Sequence, residues 1–106
     1  MSEELMEEIE KINRKKFYSM ADQRIIDFHE RFIDIIGKIF KGKVIFRFNI
    51  GENNYEMIYE LHLDIGKNYG TSITFYEILN FNFNSSEFIN AFIDYVKHDY
   101  LRNILN

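Results

Sequence analysis

The sequence predicts an α+β fold: one domain of order α-α-β-β-β-α, with helices packed on one face of a three-stranded antiparallel sheet. Three observations lead there. Apolar residues recur every three or four positions over residues 22–40 and again beyond residue 85. Between those stretches, from Val44 onward, the period drops to two. The breaks carry turn-forming runs, GENN at 51–54 and GKNYG at 66–70. A chain of 106 residues, 46% apolar and 17% aromatic, suits a single domain with a core of its own. Residues 22–106 form its αβββα core, and residues 2–16 a peripheral helix.

In that first helix Ser2 is the expected cap. Glu3, Glu4, Glu7 and Glu8 lie near the positive end of the helix dipole, and Lys11, Arg14, Lys15 and Lys16 near the negative end. Its apolar stripe, Leu5, Ile9 and Ile12 with Met6 beside it, is narrow, so the helix is expected to lie against the domain. The helix over 22–40 is stronger. Asp22 is its N-cap, Ile25, Phe28, Phe32, Ile35, Ile36, Ile39 and Phe40 its stripe, and Gly42 the stop signal. His29 beside that stripe is expected to be partly buried.

In KVIFRFNI and YEMIYELHLDIG the apolar residues alternate. Pairing Ile50 with Tyr55 across GENN sets Phe48 against Met57, Phe46 against Tyr59 and Val44 against Leu61, all on one face. For the third strand the expected pairs are Ile65–Thr71, Leu63–Ile73, Leu61–Phe75, Met57–Leu79 and Tyr55–Phe81. Glu77 then falls on the apolar face opposite Tyr59, which predicts a bulge or strand break near Tyr76 and Glu77. NSSEF opens the last helix, with Ser85 or Ser86 as its cap and Phe88, Ile89, Phe92, Ile93, Val96, Tyr100, Ile104 and Leu105 as its stripe.

Composition narrows the function. There is no cysteine, which removes thiolate nucleophiles, zinc fingers, iron–sulfur clusters and disulfides. The opening MSEELMEEIE is acidic where a signal peptide is basic and then apolar. No apolar run approaches the roughly 18 residues that cross a bilayer. A cytoplasmic protein with no membrane association is expected. A net charge of −4 argues against phosphate contact and permits a partner with a basic surface.

The candidate chemistry is thin. FHERF (28–32) lacks the second histidine of a metalloprotease helix, and GKNYGTS (66–72) lacks the order and the following helix of a phosphate loop. Glu60, His62 and Asp64 project from one strand face, but no further ligand faces them from neighbouring strands. Arg47 instead stands diagonal to Glu56 or Glu60 as a cross-strand partner. No metal, cofactor or catalytic set is expected, and the chain is not read as an enzyme.

The order αβββα resembles, in topology, double-stranded-RNA-binding domains, the small signal-recognition-particle Alu proteins and some phage anti-CRISPR proteins. Double-stranded-RNA-binding domains place a lysine cluster at the start of the last helix; here Asn84, Ser85, Ser86 and Glu87 stand there. That likeness is one of architecture.

The sheet face away from the helices is the candidate partner-binding surface. Glu56, Glu60 and Asp64, four residues apart, share it with Ile45, Ile58, Tyr76 and Ile78, and Glu52 lies in the adjoining loop. A solvated polar face is ordinary in antiparallel sheets; the interleaved isoleucines and tyrosine suit an interface. The expected function is a small non-enzymatic protein-binding module, a stoichiometric inhibitor built as phage anti-defence and toxin-immunity proteins often are. Two alternatives stand beside it. Lys11, Arg14, Lys15 and Lys16, with Lys38, Lys41 and Lys43, would serve nucleic-acid binding, and edge strand 44–50 or the open face would serve a regulatory homo-oligomer.

Overall fold

The computed structural model of the chain describes residues 3–64, 66–80 and 82–105. The Ser2 cap and the pairings of Ile65 and Phe81 lie outside the described residues. The elements are α1 (Glu3–Met20), α2 (Gln23–Ile39), β1 (Gly42–Ile50), β2 (Tyr55–Leu63), β3 (Asn68–Thr74), α3 (Phe75–Leu79) and α4 (Ser85–Leu105). The strands form one antiparallel sheet in the order β1-β2-β3, and the helices pack on its apolar face. It is the expected α+β domain, with one short helix added.

α1 runs four residues past the expected end at residue 16. Phe17, in that extension, is fully buried, while Leu5, Ile9 and Ile12 are exposed. The most deeply buried anchor of the helix is therefore a ring off its apolar stripe, with Tyr18 beside it 5.9 Å from the His29 ring. Phe17 meets His29 at 4.7 Å, Phe46 at 5.0 Å, Phe48 at 5.6 Å and Phe75 at 5.9 Å between ring centres.

α2 starts where Asp22 predicts, the carboxylate accepting from the Arg24 and Ile25 amides. Ile25, Phe28, His29, Phe32 and Ile36 are buried, but Ile39 is exposed. Gly42 does not cap this helix, which ends with Phe40 already extended. Gly42 begins β1 opposite Leu63, and a Cβ there would run into the His62 carbonyl. Its lack of a side chain serves close approach.

The β1–β2 hairpin has the expected register, Val44 opposite Leu61, Phe46 opposite Tyr59, Phe48 opposite Met57 and Ile50 opposite Tyr55. The Gly51 amide donates to the Asn54 carbonyl at 2.8 Å and closes it. The β2–β3 register corrects the expectation. Ile73 pairs with Met57 and not with Leu63, and Tyr69 takes the place opposite Leu61. Gly66, at φ +82, allows a tight reversal in which the Leu63 amide donates to the Lys67 carbonyl at 2.9 Å. Tyr69 then enters the core, 4% exposed, and its hydroxyl donates to Asp99 on α4 at 2.7 Å. Burial first, and then that carboxylate, push its phenol up to about 12.

The break expected near Glu77 is a change of element. β3 stops at Thr74, and a capping box starts α3: Thr74 Oγ1 accepts from the Glu77 amide, and Glu77 accepts from the Thr74 amide. In a continued strand Glu77 would enter the core; in the helix it is exposed, while Phe75 and Ile78 are buried. Thr74→Ala should cost about 1 kcal/mol, read as a lower urea midpoint at unchanged m-value. α4 is capped by Asn84 in place of the expected serines, its side chain accepting from the Ser86 and Glu87 amides at 3.0 and 3.3 Å. Ile89, Phe92, Ile93 and Val96 bury the inner side of α4.

Candidate partner-binding surface

The period of two that sends Met57, Tyr59 and Leu61 inward sends Glu56, Ile58, Glu60 and His62 outward. The pairing then fixes their neighbours. Glu56 lies between Asn49 and Thr74, Ile58 between Arg47 and Ser72, Glu60 between Ile45 and Gly70, and His62 between Lys43 and Asn68. No described helix packs on this face. Ile45 and Ile58 are half-buried, and Arg47, Asn49 and Ser72 are exposed.

Glu60 is the hub. Its carboxylate accepts from Arg47 at 2.7 Å on one oxygen and lies 2.9 Å from His62 Nε2 on the other. The diagonal pair with Arg47 is one of the two the sequence offered. The His62 contact first, and then the guanidinium, hold the Glu60 carboxyl below its usual range. Arg47 is paired with Glu60, and Lys43 lies beyond it opposite His62, so this part of the face is not acidic. The acidity of the face is confined to the hairpin end, where Glu56 is followed outward by exposed Glu52.

The structure brings together only part of the sequence-derived set. Glu56, Ile58 and Glu60 share the sheet face. Glu52 sits in the hairpin at one end of β2 and Asp64 in the turn beyond the other, so roughly 30 Å of strand separates them. Asp64 instead lines a cleft of about 400 Å³ with Lys41, Leu63, Val96, Lys97 and Tyr100, among others, between the ends of α2 and α4. Tyr76 is on α3 and not on β3, 74% exposed. Ile78 is the clear correction. It is 6% exposed and belongs to the core, because the capping box turns the chain helical before residue 78 can reach the outer face. Ile45 stands on this face as the alternation predicts, opposite Glu60; Lys43, which the sequence reading left out, stands opposite His62.

The Glu60–His62–Asp64 idea of a metal site loses Asp64 to the turn, and among the described residues no three His, Asp or Glu side chains converge. Of the two basic groups, Arg14 on α1 and Lys43 on β1 line one cleft of about 320 Å³, which Glu10 and the His29 ring share. No helix among the described residues is long and apolar enough to cross a membrane. Comparison with protein-family models, with curated proteins and with solved structures gave no match.

Proposed function

We propose that this chain is a small, non-enzymatic protein-binding module, acting in the cytoplasm as a stoichiometric inhibitor that docks through the open face of its sheet. One observation carries the reading: a sheet face without a covering layer that sets Ile45 and Ile58 among Arg47, Glu56 and Glu60. Apolar side chains ringed by charged ones are the make-up of an interface core and its rim. Ile58 is the anchor. The Glu52–Glu56 end supplies steering toward a basic group on the partner, and Arg47, held by Glu60, fixes register across the centre. The partner's complementary surface is thus mixed in charge, basic only at one end.

The test starts from a tagged pull-down after nuclease treatment, with a partner retained at near-equal stoichiometry. The variant Glu52→Lys/Glu56→Lys/Ile58→Lys should weaken that complex at least tenfold, about 1.4 kcal/mol, while its far-UV spectrum and thermal midpoint stay those of the parent. Unchanged affinity would remove the sheet face from the reading. A second reading has one observation behind it, the Arg14–Lys43 cleft. Capture that disappears on nuclease treatment, with an affinity that falls steeply with salt, would favour nucleic acid bound there.

A further inference from the structure

α1 carries an apolar stripe on which Ile9 and Ile12 stay exposed. Its domain-facing side is Phe17, fully buried, with Asn13 and Glu10 half-buried one and two turns before it. Ile9, 41% exposed, and Ile12, 54% exposed, lie roughly a third of a turn round the helix from that side. With Leu5 they follow the four-then-three spacing of heptad d, a and d positions.

The charges of α1 are sorted along its length. Glu4, Glu7, Glu8 and Glu10 occupy the first half, and Lys11, Arg14, Lys15 and Lys16 the second. Two such helices side by side in parallel would set like charge against like. Reversed, each acidic half meets a basic half. We propose that α1 pairs with α1 of a second copy of this chain, antiparallel, about a two-fold axis between Ile9 and Ile12.

In that arrangement an a position of one helix packs on a d position of the other. Ile9 meets the second copy's Ile12, and symmetry repeats the contact. Glu8 and Lys15 then flank the seam as g positions and face each other across it, Glu8 to the second copy's Lys15 and the reverse. Among the described residues neither forms an ion pair within its own chain. The two-fold makes the contact isologous, so assembly closes at two. The sheet face stays free, since α1 packs from the other side of the sheet. Only α1, about 27 Å long, is buried. Interfaces of that size are of the weak, transient class, with a dissociation constant on the order of 100 µM.

Sedimentation of the full chain from about 1 µM to about 1 mM tests this. The weight-average mass should rise from 12.9 kDa toward twice that value. Ile12→Lys should hold the chain monomeric throughout, with its helical spectrum and melting curve intact because Ile12 is exposed and lies outside the core. Glu8→Lys and Lys15→Glu singly should each raise the dissociation constant roughly tenfold, since two contacts become repulsive in each dimer. Glu8→Lys/Lys15→Glu should restore it, which neither misfolding nor a parallel pair would do. A monomer at every concentration overturns the proposal and leaves the stripe to some other partner. A dimer indifferent to Ile12→Lys also overturns it, and so does a double variant no better than the singles.

Discussion

Phe17→Ala should destabilise the domain by about 3–5 kcal/mol, the range for deleting a buried phenylalanine whose site cannot collapse. Collapse is blocked here because four separate elements close on the ring: α1 carries it, α2 brings His29, β1 brings Phe46 and Phe48, and α3 brings Phe75. No single shift fills the hole. For a chain of this length that is a fall in melting temperature on the order of 15–25 °C. Phe17→Leu should recover most of the loss. Ile12→Ala, at low micromolar protein, should stay within about 0.5 kcal/mol of the parent, because an exposed side chain leaves no cavity. Hydrogen exchange should show α1 amides opening first in Phe17→Ala. A cost below about 1 kcal/mol would mean that α1 is not riveted through this ring.

Acid should unfold the protein through His29. The ring is 3% exposed, lies 2.7 Å by its Nδ1 from the Tyr59 hydroxyl, and packs on Phe17 and Phe46. Burial lowers its pKa from 6.5 to about 4, and the same burial pushes the Tyr59 phenol up. Below pH 6.5 the unfolded chain takes up a proton that the folded chain refuses, so stability declines as pH drops from about 6.5 to about 4 and this contribution then levels off. The loss is about 3 kcal/mol at most. Glu60 and Asp99 act in the same direction but lower. Glu60 is held down by His62 and then Arg47, and Asp99 by Tyr69 and then Lys67. Their stabilisation is full above the ordinary carboxylate range and is lost as pH falls through their depressed values. Urea midpoints across pH separate the two. His29→Leu should flatten the limb between about pH 6.5 and 4.5 and leave the lower one. It should also start from a lower stability at pH 7, because Tyr59 loses its partner. An equally steep upper limb in His29→Leu would rule the imidazole out as its source.

Much of the fold was legible because two periodicities are written plainly. Asp22 and the α2 stripe, and the alternation on either side of GENN, leave one arrangement that puts Phe28, Phe32, Phe48, Met57, Tyr59 and Leu61 inside. The β2–β3 pairing was not legible for a physical reason. Alternation fixes which face a residue takes, and sliding β3 by an even number of residues keeps every face, so the observed six-residue slide is invisible to it. What selects the true register is Gly66 and the anchoring of Tyr69 by Asp99. α3 is too short for a period; its one sign is the Thr74–Glu77 spacing. Phe17 was missed because it stands off the α1 stripe, just after the cations that read as a helix end. The outer face was half legible. β2 showed its carboxylates, but how they are balanced depends on what β1 sets beside them, and that is a matter of pairing.

The meander has a kinetic meaning as well. Each strand pairs only with its neighbour in sequence, across links of a few residues, so the sheet forms with little loop-closure entropy to overcome. The helices that cover it arrive from both ends of the chain. Within these 106 residues there is no proline, so no peptide bond has to isomerise over tens of seconds before the last helix can dock. A sheet closed early, with one side left bare, offers its outer face before the core on the other side is complete.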